Sequence, residues 1–132
     1  MNYIEHKSNE SIEDYLEAIL MLSEKLPYVR SVDVANEEGY KKSSISVAMK
    51  NLRNMGYITM DEHGHIFLTE EGHSIASMIY ERHQLISKLL MAIGVDEAIA
   101  VQDACRIEHD LSPETFAAIK EYINKQCTRG ES

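Results

Sequence analysis

The sequence has no Asp or Glu between Gly39 and Met60, although the whole chain of 132 residues carries a formal net charge of −9. The same window holds four positive charges: Lys41, Lys42, Lys50 and Arg53. An acidic chain is not a general nucleic-acid coat protein, which would be basic overall. A basic patch in an acidic chain is nevertheless what contact with phosphates requires, although a solvated helix face has the same composition.

Cysteines and long apolar runs are also scarce. The chain has two cysteines, Cys105 and Cys127, and its first ten residues are polar without a signal-peptide pattern. No apolar run is long enough to cross a membrane. We therefore expect a cytoplasmic protein with no membrane partner and with reduced cysteines, each either a small buried apolar residue or a metal ligand.

The apolar periodicity predicts a mainly α chain. Six helices are expected, at residues 11–26, 32–38, 43–55, 70–93, 95–109 and 112–127. Two short strands, 57–60 and 65–69, flank a turn that has glycine at the bend. This order is typical of an N-terminal winged helix-turn-helix with a two-stranded wing, at residues 1–73. An all-helical dimerisation domain is expected at 74–132.

The third predicted helix is expected to enter the major groove of DNA, with the hairpin as a wing beside it. The basic window falls on this helix and its lead-in, so the charge pattern and the fold pattern agree. Six residues are expected to meet phosphates and bases: Lys41, Lys42, Ser43, Ser44, Ser46 and Lys50. Val47 suits a thymine methyl group, with partial packing inside the domain as the alternative. His63 and His65 flank the wing tip, where a neighbouring phosphate is within reach.

The last three helices have apolar faces and follow a complete winged helix, so they need a partner surface. Operators are commonly two-fold, and dimeric regulators match that symmetry. We expect a homodimer built on these helices, with folding back onto their own domain as the alternative.

Side chains that bind metals recur at helical spacing. Cys105, Glu108 and His109 stand at i, i+3 and i+4, so a thiol, a carboxylate and an imidazole share one helical turn and can converge on one cation. Asp14 and Glu17 have the same i, i+3 relation. The full set of candidate metal ligands is Asp14, Glu17, His83, Cys105, Glu108 and His109. Each feature also has an ordinary structural explanation. Glu108 and His109 can be a solvated surface pair, Cys105 a core residue, Asp14 a capping acid and His83 a buried histidine.

Five segments resemble the diphtheria toxin repressor and manganese transport regulator family: EDYLE at 13–17, SSIS at 43–46, ERH at 81–83, IGVD at 93–96 and, above all, DACRIEHDLS at 103–112. The resemblance covers about residues 9 to 125 and indicates a short two-domain member. It implies a repressor, not an enzyme, that controls metal uptake. Such a repressor binds a palindromic double-stranded operator as a homodimer when loaded with Fe(II) or Mn(II).

The resemblance also implies roles for individual residues. It places four residues in the activating metal site: Asp14, Cys105, Glu108 and His109. It places Glu17 and His83 in the two-metal centre of the manganese branch. Cys105 agrees with the iron branch, since the manganese branch has a carboxylate there, whereas Asp14 departs from the iron branch, which has a thioether.

The metal follows from the softness of the ligands. A thiolate favours Fe(II), Co(II), Ni(II) or Zn(II), whereas carboxylates alone suit Mn(II). One cysteine in a mixed site makes Fe(II) the expected cation and Mn(II) the alternative. A rival hypothesis is a winged-helix regulator that senses thiol oxidation, through Cys105, or a small molecule. A Cys-His enzyme is disfavoured, because no Gly-rich loop supplies backbone donors.

Overall fold

The computed structural model describes residues 3–39 and 41–131, without the side chains of 3–10, 38 and 127–131. Eight elements follow one another along the chain: α1 (Tyr3–Lys25), α2 (Ser31–Glu38), α3 (Lys42–Asn54), β1 (Ile58–Met60), β2 (Ile66–Leu68), α4 (Glu70–Ala92), α5 (Glu97–Ile107) and α6 (Pro113–Glu131). No helix in this description is long and apolar enough to cross a membrane.

The predicted mainly helical class and the order of its elements are confirmed, with shifts at several helix ends. The largest shift is at α1, which begins at Tyr3, so the predicted start at residue 11 is wrong. Residues 3–10 contain neither Pro nor Gly, and nothing therefore stops the helix from extending through them. The last helix continues to Glu131, beyond its predicted end at residue 127.

The chain forms two compact units, residues 1–78 and 79–132, and α4 contributes to both. The domain boundary predicted from the sequence at residues 73 and 74 stays a prediction. Each unit is described below by itself.

The core of the first unit is built from the apolar faces of its helices. On α3 the buried side chains are Ile45, Met49 and Leu52, as their helical spacing predicts. They pack in one cluster with Leu16 and Ile19 of α1, which are also fully buried. Because this stripe faces inward, the opposite face of α3 is left to solvent.

The wing is a two-stranded antiparallel hairpin in which Thr59 pairs with Phe67. Gly64 closes its turn with a φ of 78°, and its N–H donates to the carbonyl of Asp61. The N–H of Ile66 also donates to the carbonyl of Val29, at 2.7 Å, before α2. The wing is therefore joined to the connection between α1 and α2 as well as to its own strands.

The second unit has a small buried core, and several of its large apolar side chains are exposed. Its buried apolar side chains are Ile79, Ile86, Ala100, Ala104 and Ile123, and its buried polar residues are Arg82, Ser87 and Glu108. Ile93, Ile99 and Tyr122 remain 71%, 53% and 57% exposed. Side chains of this size left in solvent are typical of a surface that a partner covers.

Candidate metal centre and DNA-binding surface

Glu108 lies between two histidines in the second unit, and its side chain is fully buried. One carboxylate oxygen, Oε2, is 3.0 Å from Nδ1 of His83, and the other, Oε1, is 3.5 Å from Nε2 of His109. The side chains of His83 and His109 are 17% and 1% exposed. A carboxylate removed from water needs such partners, because an isolated buried charge is strongly unfavourable.

Cys105 adds a thiol to this group. Its Sγ lies 3.7 Å from Nδ1 of His83, and ligand atoms of His83, Cys105 and Glu108 lie within 4.8 Å of one another. Among the described residues, Oε1 of Glu108 accepts no hydrogen bond although it is buried, because its neighbour His109 approaches only to 3.5 Å. A buried carboxylate oxygen without a hydrogen bond, next to nitrogen and sulfur atoms that can bind metals, fits a site for a divalent transition-metal cation.

The imidazole of His83 is held in its charged form by the neighbouring acids. The pKa of His83 is raised to about 10, first by the hydrogen bond to Cys105 and then by the bond to Glu108, against burial, which lowers it. His83 therefore carries a proton at neutral pH when no cation is bound. A cation must displace that proton, because only neutral imidazole binds a metal.

The end of α5 differs from the prediction and sets the position of the ligands. The helix ends at Ile107, so the prediction that Glu108 and His109 lie within it is wrong. Glu108 is the C-cap, but its φ of −57° and ψ of −27° remain helical. The predicted one-turn relation between Cys105 and Glu108 is thus kept, while His109 stands in the following turn.

Arg82 holds this turn from α4. Its Nη1 donates to the backbone carbonyls of Glu108 and Leu111, both at 3.0 Å. The guanidinium lies 5.2 Å from the centroid of the Phe116 ring, and Arg82 is 7% exposed. Arg82 was not among the functional residues predicted from the sequence, although an arginine beside a candidate ligand, in an otherwise apolar stripe, was a usable signal.

The other two predicted ligands belong to the first unit. Asp14 and Glu17 lie on α1, where Asp14 is half-buried and Glu17 is 8% exposed. Their assignment as metal ligands stays a prediction.

Seven of the residues predicted to contact DNA lie on α3 or directly before it. Seven residues at the start of this helix and along it are exposed: Lys41, Lys42, Ser43, Ser44, Ser46, Val47 and Lys50. Val47 is 61% exposed, so the alternative of packing inside the unit does not describe it. The exposed face therefore combines positive charge, hydroxyl groups and one apolar side chain, the mixture that phosphates and base edges require.

Two family models match successive parts of the chain. Residues 7–66 match "Iron dependent repressor, N-terminal DNA binding domain". Residues 69–131 match "Iron dependent repressor, metal binding and dimerisation domain". Together they cover most of both units. They support the prediction that the N-terminal part binds DNA and the C-terminal part binds metal.

Similar full-length proteins are transcriptional regulators. The transcriptional regulator MntR of Escherichia coli O6:H1 is 36% identical over 116 residues, which cover 88% of this chain and 75% of the relative. The HTH-type transcriptional regulator MntR of Bacillus subtilis is 35% identical over 102 residues, covering 77% and 72%. An HTH-type transcriptional regulator of Methanocaldococcus jannaschii is 34% identical over 119 residues, covering 89% and 95%.

Solved structures have the same fold. The manganese regulator SloR superposes with a TM-score of 0.77 at 25% identity, covering 86% of this chain and 53% of SloR. A manganese-dependent transcriptional repressor in complex with manganese gives 0.78 at 25% identity, covering 86% and 52%. The chain thus spans about half the length of these two proteins. The matched domains and relatives show that it belongs to the iron-dependent repressor family, whose members are metal-dependent transcriptional regulators and not enzymes.

Proposed function

We propose that this repressor binds double-stranded operator DNA as a homodimer when it is loaded with Mn(II), and that it thereby controls metal uptake. The observation that carries the proposal is the buried carboxylate of Glu108, with two imidazoles and a thiol around it. The choice of Mn(II) is supported by the two solved relatives described as manganese-responsive.

Four ligands are proposed from the second unit: His83, Cys105, Glu108 and His109. Asp14 is proposed as a further ligand from the first unit, with Glu17 beside it, as the family resemblance implies. Ligands from one unit alone would leave the DNA-binding unit unaffected by the cation. Ligands from both units couple metal binding to DNA binding, because the bound cation restricts how the units are arranged.

Fe(II) is the second candidate, and it was the cation expected from the sequence. It is favoured by Cys105, whose Sγ lies among the donor atoms, since a thiolate prefers Fe(II) to Mn(II). The names of the solved relatives give Mn(II) the better support, so Fe(II) takes second place. The rival hypothesis of thiol oxidation at Cys105 predicts no response to any cation in the absence of oxygen.

The homodimer is supported by the match to a dimerisation domain and by the exposed apolar side chains of the second unit. A two-fold dimer would present two copies of α3 to two half-sites of an operator. We propose that the seven exposed residues on and before α3 make the contacts, with most hydrogen bonds going to phosphates.

The test is operator binding measured without oxygen. A duplex is first selected from a random library by the metal-loaded chain, and its affinity is then measured with Mn(II), Fe(II), Co(II) or Zn(II) and with a chelator. We expect Mn(II) to strengthen binding by about 10- to 100-fold, which is the usual range of coupling between sites. Affinity that the chelator leaves unchanged would overturn the proposal.

Variants at the site locate the response. Glu108→Gln and Asp14→Asn remove one charge each with little change in shape, and each should abolish the strengthening by metal. Glu114→Gln, at an exposed acid in the first turn of α6, is the matched control and should respond like the wild type. Sedimentation must show that all three variants remain dimers.

A further inference from the structure

The imidazole of His65 is enclosed at the turn end of the wing, just before β2, with 12% of its side chain exposed. It stacks on the ring of Tyr28, with centroids 4.2 Å apart and an angle of 9° between the planes. Its Nδ1 lies 3.0 Å from Oδ2 of Asp61, and its Nε2 lies 3.4 Å from Nη2 of Arg30. The ring is therefore fixed on one face and at both nitrogens.

The partners of His65 determine its tautomer. A carboxylate accepts hydrogen bonds but does not donate, so Nδ1 carries the proton that points to Asp61. Nε2 of the neutral ring then has a free lone pair, and a guanidinium only donates. The arrangement is thus a directed chain in which Asp61 orients His65, and His65 accepts a hydrogen bond from Arg30.

The hydrogen bonds that link Asp61, His65 and Arg30 orient the guanidinium of Arg30 without neutralising its charge. Among the described residues, the guanidinium of Arg30 makes its side-chain hydrogen bond to His65 and forms no ion pair with a carboxylate. A carboxylate partner would cancel the charge, whereas neutral imidazole leaves it intact. Asp33 lies close by, since its carboxylate accepts from the backbone N–H of Arg30 at 2.9 Å, but the arginine is exposed and its guanidinium is accessible to an anion in solvent.

The same arginine adjoins the outer face of α3. A cavity of about 170 Å³ between α2 and α3 is lined by Val32, Lys42 and Ser46, among others. Val32 also lines a second cavity, of about 300 Å³, together with Arg30 and His65. Val32 is common to both cavities, which places Arg30 near the part of the surface that carries Lys42 and Ser46.

We propose that Arg30 contacts a DNA phosphate on the wing side of α3, and that His65 is the positioning residue that holds its guanidinium there. The proposal uses the DNA-binding role of the first unit and does not depend on which metal the second unit holds. It places the DNA surface across three elements: α3, the start of α2 and the turn of the wing.

The test is the salt dependence of binding to the selected duplex, with Mn(II) present throughout. Each phosphate contact adds about 0.9 to the slope of log affinity against log salt concentration. Arg30→Ala should lower the slope by about one unit. His65→Phe keeps an aromatic ring to stack on Tyr28 but has no nitrogen, and it should lower the slope by a similar amount. The double variant should lose no more than Arg30→Ala alone.

Asp61→Asn provides a second variant if His65→Phe does not fold. Oδ1 can still accept from the backbone N–H groups of His63 and His65, while the amide NH2 replaces Oδ2 and donates to Nδ1. The ring proton then moves to Nε2, which can no longer accept from Arg30. The slope should fall although the variant removes a negative charge, and the nitrogen shifts of His65 should report the changed tautomer.

Lys125→Ala, which removes one exposed cation on α6, is the control and should keep the wild-type slope.

A wild-type slope for Arg30→Ala would show that Arg30 contacts no phosphate and would overturn the proposal. Additive losses for Arg30→Ala and His65→Phe would mean that His65 contacts DNA itself and would overturn its positioning role. A lower melting temperature for His65→Phe with an unchanged slope would show a merely structural histidine. If metal fails to strengthen binding in the wild type, the proposed function fails, but the comparison of slopes remains valid.

Discussion

Gly72, in the first turn of α4, packs so closely against Tyr57 that a Cβ at this glycine would lie 2.0 Å from the Tyr57 backbone oxygen. The same carbonyl accepts a hydrogen bond from the N–H of Thr69, at 3.0 Å. The hydroxyl of Thr69 donates to the carbonyl of Gly56 and accepts from the N–H of Gly72. The start of α4 is therefore fixed to the residues that lead from α3 into the wing.

Gly72→Ala should destabilise the protein. Alanine favours a helix over glycine by about 1 kcal/mol, so propensity alone predicts a gain. The clash is with backbone, however, and relieving it requires a backbone shift whose cost, about 2–3 kcal/mol, lies at the upper end of the usual range for overpacking. We expect a net loss of about 1–2 kcal/mol in the free energy of unfolding, measured by urea denaturation. Ser74→Ala, at an exposed position on the same helix, is the control. A Gly72→Ala variant as stable as the control would contradict the close approach.

Local periodicity predicted the fold well because it reports which face of each helix is buried. Ile45, Met49 and Leu52 are buried as predicted, and the hairpin turn lies where its glycine indicated. The predicted start of α1 at residue 11 was wrong because apolar periodicity shows that a helix is present but not where it begins, and no Pro or Gly directly upstream stops this one.

The proximity of Cys105 and Glu108 in the candidate site was predictable, but the contacts that support the site were not. Cys105 and Glu108 are neighbours through local helical spacing, which a sequence displays. The bond from Arg82 to the carbonyl of Glu108 joins residues 26 positions apart, and the bond between Arg30 and His65 spans 35 positions. Such contacts depend on how whole helices pack, and no local pattern encodes them.

Arg82→Met should strongly destabilise the second unit. Methionine fills much of the same volume but leaves the carbonyls of Glu108 and Leu111 without the hydrogen bonds that Arg82 donates. A buried acceptor that loses its hydrogen bond costs about 1–3 kcal/mol of stability. We expect a loss of about 3 kcal/mol in the free energy of unfolding, with Arg82→Lys losing less because an ammonium still donates. Denaturation with guanidinium chloride measures both.

Lys120→Met is the matched control for Arg82→Met. Lys120 pairs with Glu81, but the two side chains are 48% and 44% exposed. An exposed ion pair contributes less than about 1 kcal/mol, so this variant should unfold almost like the wild type. Equal losses for Arg82→Met and Lys120→Met would show that the carbonyl contacts of Arg82 contribute little.

Acid should weaken the wing through Asp61. Burial alone would raise the pKa of Asp61, but the backbone N–H groups of His65 and His63, together with the imidazole of His65, lower it below its ordinary value of 3.8. A carboxyl whose pKa falls on folding stabilises the folded state above the unfolded pKa, and this stabilisation is lost as the pH falls through the folded pKa. The difference in stability between the wild type and Asp61→Asn should therefore be constant above about pH 5 and shrink below 3.8. Thermal melting between pH 2 and 6 measures it, and a difference that persists undiminished at pH 2 would contradict this role.

Cys105→Asp should shift the response of the repressor toward Mn(II). In the wild type, Sγ of Cys105 lies within 4.8 Å of ligand atoms of His83 and Glu108, so a bound cation would have a sulfur ligand. Replacing this soft donor by a carboxylate oxygen removes the ligand that favours Fe(II) over Mn(II). We expect the ratio of half-activating Mn(II) to Fe(II) concentrations, measured anaerobically by operator binding, to fall by about tenfold, or roughly 1.4 kcal/mol. Cys105→Ser, which supplies neither thiolate nor carboxylate, should weaken the response to both cations. If Cys105→Asp keeps the wild-type ratio, the sulfur does not determine which metal activates the repressor. The cation must then be selected by the ligands that the wild type and the variant have in common.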